Sequence, residues 1–134
     1  MKRYPPSEKS TFAYWFAHWR AFNKTAWRLG VWRPKYLFHD IEKPFLMWLW
    51  KDYPRVQKWH RTHNSHHWEY NDCKGPHDWL AMVIDWECSP MTKEACPWGA
   101  RDKFNHEIEE YGMTSNYGAS LCINMHPILE KLGL

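Results

Sequence analysis

Phe12, Trp15, Phe16, Trp19, Phe22, Ala26 and Leu29 recur at steps of three and four residues. An α-helix turns about 100° per residue, so this spacing collects them into one stripe. The helix is expected to begin after Pro5-Pro6, with Ser7 or Ser10 as its cap, and to stop at Gly30. A second helix starts at Pro34, carries Tyr36, Leu37, Phe38 and Ile41, and is interrupted by Pro44, with a short continuation over 45–50. Proline disfavours the helical conformation in the residue before it, which places the pair His39-Asp40 near a helix end or kink. Pro54 marks another break, after which 55–70 reads as partly helical with a bend at Asn64-Ser65. Residues 71–76 read as a loop, Asp78 as the cap of a helix over 79–88, and 91–100 as turn-rich. A charged helix over 101–111, a loop over 112–120 and a short helix over 127–132 complete the chain. Strand periodicity is weak throughout. The expected fold class is all-α, a compact bundle of five to six helices forming a single domain over 1–134.

Size and composition agree with a packed core. A chain of 134 residues fits one domain, and eleven Trp, seven Tyr and six Phe supply ample apolar area. The most apolar run, Pro44 to Trp50, is far too short to span a bilayer, so no membrane association is expected. Met1-Lys2-Arg3 runs into Pro5-Pro6 with no apolar signal segment behind it, which makes the cytoplasm the expected location. Cys73, Cys88, Cys96 and Cys122 form no C-x-x-C pair, which argues against a zinc knuckle and for free thiols in a reducing compartment. The net charge of +3 is mild and its basic residues are dispersed, so a nucleic-acid surface is not expected.

The histidines carry the chemistry. His60, His63, His66 and His67 lie within eight residues, between Trp59 and Trp68. Offsets of three and four put His60, His63 and His67 on one side of an unbroken helix, with His66 turned away from His67. Either this is a ligand cluster, or some members are core, capping or solvent-facing side chains. His39-Asp40 supplies one imidazole and one carboxylate, a set suited to a borderline divalent cation, or else a hydrogen-bonded helix end. Lys43, one turn onward, can meet a phosphate as a point charge. Asp85 interrupts the apolar run 79–86, where a buried carboxylate needs a cation, donors or a histidine unless it faces solvent.

The segment Leu37-Phe38-His39-Asp40-Ile41-Glu42-Lys43 resembles the H-D-x-x-K signature of the HD-domain metal-dependent phosphohydrolases. Over residues 10–90 the chain also resembles a family of small uncharacterised bacterial and phage proteins. The matching segments are His18-Trp19, Arg28-Leu29-Gly30, 37–43, 60–68 and Asp85-Trp86. The resemblance implies an HD-like helical fold in which His18, His39, Asp40 and Asp85 hold a first divalent ion. His63 and His67 are the best additional ligands for a second ion, with His60 and His66 as outer-shell or structural side chains. The ions implied are one or two of Zn, Mn, Fe, Co or Ni. Glu42 departs from the small residue usual before the signature lysine, and Pro44 follows directly after it.

The activity implied is hydrolysis of a phosphate ester, most simply a nucleotide, by metal-activated water. Lys43 and Arg61 would contact phosphate oxygens, Trp68 would stack on a base, and Glu69 would move a proton or orient a ligand. The alternative is a metal-binding or protein-interaction module that retains the fold without turnover. A homodimer is left open.

Overall fold

The computed structural model describes residues 12–64, 66–67, 75–92 and 98–134. Six helices carry the fold, and no strand occurs among the described residues. The first, α1 (Phe12–Arg28), ends as expected at Gly30, whose φ of 74° suits a residue without Cβ. Its buried face coincides with the aromatic stripe only at Phe22 and Ala26, however. His18, Ala21, Phe22, Thr25 and Ala26 point inward, whereas Phe12 and Phe16 are exposed. Trp15 and Trp19 lie between, each donating its indole N–H to a backbone carbonyl, of Asp40 (2.8 Å) and Leu37 (2.9 Å) respectively. Aromatics are so abundant here that their periodicity alone overcounts the core.

A 3-10 turn, Pro34–Phe38, leads to His39 and Asp40, and then to α2 (Glu42–Trp50). Pro44 does not interrupt this region. It is the third residue of α2, within the first turn, where a backbone amide has no intrahelical partner to lose. The break comes instead from Asp40, whose φ is 54°. Next, α3 (Tyr53–His63) is capped by Asp52, which accepts the Arg55 N–H at 3.4 Å. In α4 (Pro76–Cys88), Asp78 is the third helical residue rather than the cap, and accepts the Gly75 N–H at 3.0 Å. A second 3-10 turn, Ser89–Met91, closes α4, and α5 (Ala100–Tyr111) stops at Gly112.

The expected loop over 112–120 is partly helical. Ser115 accepts the Gly118 N–H at 3.0 Å and starts α6, which covers 116–132. A Cβ on Gly118 would collide with the Gly112 carbonyl, so the glycine that reads as a turn former here allows close packing. Within α6, Leu121–Met125 is a π turn closed by the His126 N–H on the Leu121 carbonyl. Pro127, which has no N–H, follows at once, and the wider turn accommodates it.

Two apolar clusters flank α4. Trp79, Met82, Val83 and Trp86 pack with Phe104 of α5 and with Leu121, Met125 and Leu129 of α6. Ile84 and Cys88 pack against Ala21, Phe22 and Ala26 of α1 and Tyr36 of the 3-10 turn. Asp85 lies between Ile84 and Trp86, on the helix that joins the two clusters. Cys88 and Cys122 are free thiols, while Cys73 and Cys96, like Ser7 and Ser10, lie outside the described residues. Among the described residues no helix is long and apolar enough to cross a membrane.

One charge is misplaced for stability. Glu107 is buried on the same face of α5 as Ala100 and Phe104, and burial raises its pKa despite the opposing charge of Lys103. A carboxyl with a raised folded-state pKa adds stability below its unfolded value and loses it as pH rises through the folded value. Glu107→Gln is therefore expected to raise the melting temperature by a few degrees at pH 7. Thermal melts across pH should show that gain vanish below the ordinary glutamate value of 4.5.

Candidate metal centre

The end of the 3-10 turn supplies the centre's hinge. The His39 N–H bonds to the Tyr36 carbonyl at 3.2 Å, and the imidazole stacks on Phe22 with centroids 3.6 Å apart and planes 9° apart. Asp40 then takes its left-handed conformation, and its carbonyl accepts from both the Trp15 indole (2.8 Å) and the Lys43 N–H (3.0 Å). With the backbone held this way the carboxylate is buried, only 3% of the residue being exposed.

One side of that carboxylate faces α1 and α4. His18 Nε2 lies 3.6 Å from Asp40 Oδ2, 2.9 Å from Asp85 Oδ1 and 3.4 Å from His39 Nε2. His39 Nε2 is 3.4 Å from Asp40 Oδ2 and 3.7 Å from Asp85 Oδ1. The other side faces the end of α3. His60 Nε2 and His66 Nε2 stand 3.2 and 3.3 Å from Asp40 Oδ1. His67 completes this half, and the ligand atoms of His60, His66 and His67 all lie within 4.8 Å of one another. The same holds for His18, His39 and Asp40. Asp40 is thus common to two groups, one on each carboxylate oxygen.

These contacts are poorly aligned for hydrogen bonding. Asp40 Oδ1, Asp85 Oδ1, His60 Nε2 and His66 Nε2 are buried with polar neighbours within 3.3 Å, yet none of these atoms makes a well-aligned hydrogen bond. Buried polar atoms are normally paired, and orphans in such a set are costly unless a further group satisfies them. Donor atoms converging on shared points without alignment toward each other have the form of ligand sets.

The electrostatics agree. Burial opposes ionisation of Asp40, but His39, Lys43 and His60 hold its carboxyl well below the usual range. Burial likewise opposes ionisation of Asp85, which His18 and His39 hold well below that range. Burial pushes the pKa of His39 down, and that of His67 well down. Burial and the Lys43 charge bring His60 down to about 4. Burial disfavours the His66 imidazolium too, but Asp40 and Asp85 raise its pKa above the ordinary value. At neutral pH the carboxylates are ionised and His39, His60 and His67 are neutral, the forms that bind metals.

Among the residues expected to form the site, His18, His39, Asp40, Asp85 and His67 converge. Lys43 is beside them, its Nζ 3.3 Å from Asp40 Oδ2. His63 does not join them. It is exposed, stacks on Trp59 with centroids 4.4 Å apart, and donates from Nδ1 to the Trp59 carbonyl at 2.8 Å. Its place is taken by His60, which faces Asp40 from within the same helix, and by His66, which follows the chain's exit from that helix at the extended Asn64. Helical offsets group His60 with His63 without choosing between them, and beyond Asn64 they no longer apply. Arg61 is exposed on α3, and Trp68 and Glu69 lie outside the described residues. His106 and His126, remote in sequence, sit on exposed i,i+4 pairs with Glu110 and Glu130. No family model, curated protein or solved structure matches this chain.

Proposed function

We propose that this protein is a divalent-metal-dependent phosphohydrolase with two ions flanking Asp40. The observation that carries the proposal is the bridging position of that carboxylate, with a buried ligand group at each oxygen. His18, His39, Asp85 and Asp40 Oδ2 would hold one ion. His60, His66, His67 and Asp40 Oδ1 would hold the other. Mixed imidazole and carboxylate donors suit Zn, Mn, Fe, Co or Ni. Bound divalent ions supply an acidified water near neutral pH and neutralise charge on a leaving oxygen.

The chain's own residues have distinct tasks in this reading. Phe22 fixes the plane of His39, and the Trp15 indole and Lys43 amide fix the Asp40 backbone. The Lys43 side chain is partly exposed, 20% by area, which lets its ammonium meet a substrate phosphate while staying beside Asp40. The substrate proposed is a small phosphate ester, with a nucleotide as the first class to test. The second reading, an interaction module, draws on the exposed Phe38, Phe45 and Trp48, Trp48 being 72% exposed.

Phosphate release from a panel of nucleotides by Mn²⁺-loaded protein separates the two readings. Turnover should be metal-dependent, abolished in His60→Ala and unchanged within about twofold in His63→Ala, since a surface side chain contributes little. Absence of turnover across the panel, or equal losses in the two variants, would count against the enzyme.

A further inference from the structure

We propose that Glu42 is a positioning residue that fixes the tautomer of His60, which the ambivalent Asn64 amide alone would not fix. The inference rests on the two-ion reading above and deepens its second half. Glu42 opens α2 and reaches the end of α3, where its Oε1 accepts from His60 Nδ1 in a short contact and from Asn64 Nδ2 at 2.7 Å.

A neutral imidazole has one N–H and one lone pair. The nitrogen facing a carboxylate takes the proton, so Glu42 places it on Nδ1. The lone pair is then on Nε2, which lies 3.2 Å from Asp40 Oδ1 and belongs to the group with His66 and His67. Only this tautomer can serve as a ligand through Nε2. An outer carboxylate of this kind also raises the basicity of the imidazole it orients.

Asn64 supplies the competing arrangement. Its Nδ2 lies 3.0 Å from the same His60 Nδ1, and it is a donor. While Glu42 is present, that amide is drawn to the carboxylate. Without Glu42, the Asn64 amide can present either its N–H or its oxygen to Nδ1, so nothing holds the imidazole proton there. Loss of Glu42 therefore does more than loosen His60. It populates the tautomer that turns an N–H toward the ion position.

The geometry is specific enough to be rescued. An aspartate at position 64 would put an acceptor where the amide donor now stands, restoring Nδ1–H without Glu42. Glutamine at 42 keeps an acceptor oxygen at lower charge, so it should preserve the tautomer with a smaller loss of affinity.

The test uses full-length protein, native and as Glu42→Leu, Glu42→Gln and Glu42→Leu/Asn64→Asp. Nitrogen NMR of the metal-free proteins reports which ring nitrogen of His60 carries hydrogen, and elemental analysis after Mn²⁺ equilibration gives ions per chain. Nδ1–H is expected in the native protein and in the glutamine and double variants, and a mixture of Nδ1–H and Nε2–H in Glu42→Leu. The second ion should bind Glu42→Leu about 10–100-fold more weakly, the usual cost of losing an outer-shell partner. It should return in the double variant. An unchanged tautomer in Glu42→Leu overturns the proposal whatever the metal content. Equal loss of the second ion in Glu42→Leu and in the double variant also overturns it, by reducing Glu42 to packing. A tautomer change in a protein whose native form takes up no metal supports the assignment to Glu42 and contradicts the two-ion reading.

Discussion

Asp40→Asn is expected to remove at least one of two bound ions and to abolish phosphate-ester hydrolysis while leaving the fold in place. Asn, like Asp, tolerates a positive φ better than most residues, so the 54° at this position adds little strain to the variant. The backbone bonds to the Trp15 indole and the Lys43 amide are unaffected by the change. What is lost is the second acceptor oxygen and the charge. An amide presents one oxygen and one donor group, so it cannot face His18 and His39 on one side and His60 and His66 on the other as a bridging ligand. The loss in turnover should exceed the roughly 10–100-fold typical of outer-shell partners. Elemental analysis, steady-state turnover and circular dichroism on one preparation check all three statements. Native metal content with native turnover in Asp40→Asn would refute the bridging role.

Phe22→Ala should produce the largest loss of stability. Phe22 is fully buried, makes an edge contact with Tyr36 at 5.2 Å and stacks on His39. Truncating a buried phenylalanine costs about 3–5 kcal/mol, the transfer term plus the cavity left behind. For a chain of this size, that corresponds to a fall in melting temperature on the order of 10–20 °C. The cavity opens directly under the His39 ring, so the variant should also bind the ion on the His18 side more weakly. A ligand that binds only the folded state stabilises it by mass action, and the ion should therefore raise the melting temperature less in Phe22→Ala than in the native protein. Calorimetry with and without Mn²⁺ measures both effects. Equal metal-induced shifts would show that the stack on His39 is incidental to binding.

The helical architecture was legible because its signals are local. The stop at Gly30 and the charged segment of α5 each depend on a few neighbouring residues, while Pro54, expected as a break, sits in the first turn of α3. The buried face of α1 was harder, since His18 and Thr25 occupy core positions and Phe12 and Phe16 do not. The stretch 116–120 looked like a loop because Asn, Gly and Ser favour turns in isolation, while packing against Gly112 selects the helix.

The site was partly legible for the same reason. His39, Asp40 and Asp85 stood out from chemistry alone, and resemblance added His18. Choosing among the four clustered histidines required knowing where α3 ends. Within α3, His60 faces inward and His63 the surface, and the extended Asn64 then lets His66 join His60. Asn64 was already the expected bend, so the signal was present. A bend there can bring His66 inward, which helical offsets alone do not allow. Glu42 stood out only as a departure from the small residue usual at its position, because its contact with His60 depends on the meeting of two helix ends.

Anomalous X-ray diffraction from crystals of protein equilibrated with Mn²⁺, collected on both sides of the metal edge, tests the central claim most directly. The prediction is two peaks, one between Asp40 Oδ2, His18, His39 and Asp85, the other between Asp40 Oδ1, His60, His66 and His67. No peak at either position, or ions held only by surface residues, would contradict the account.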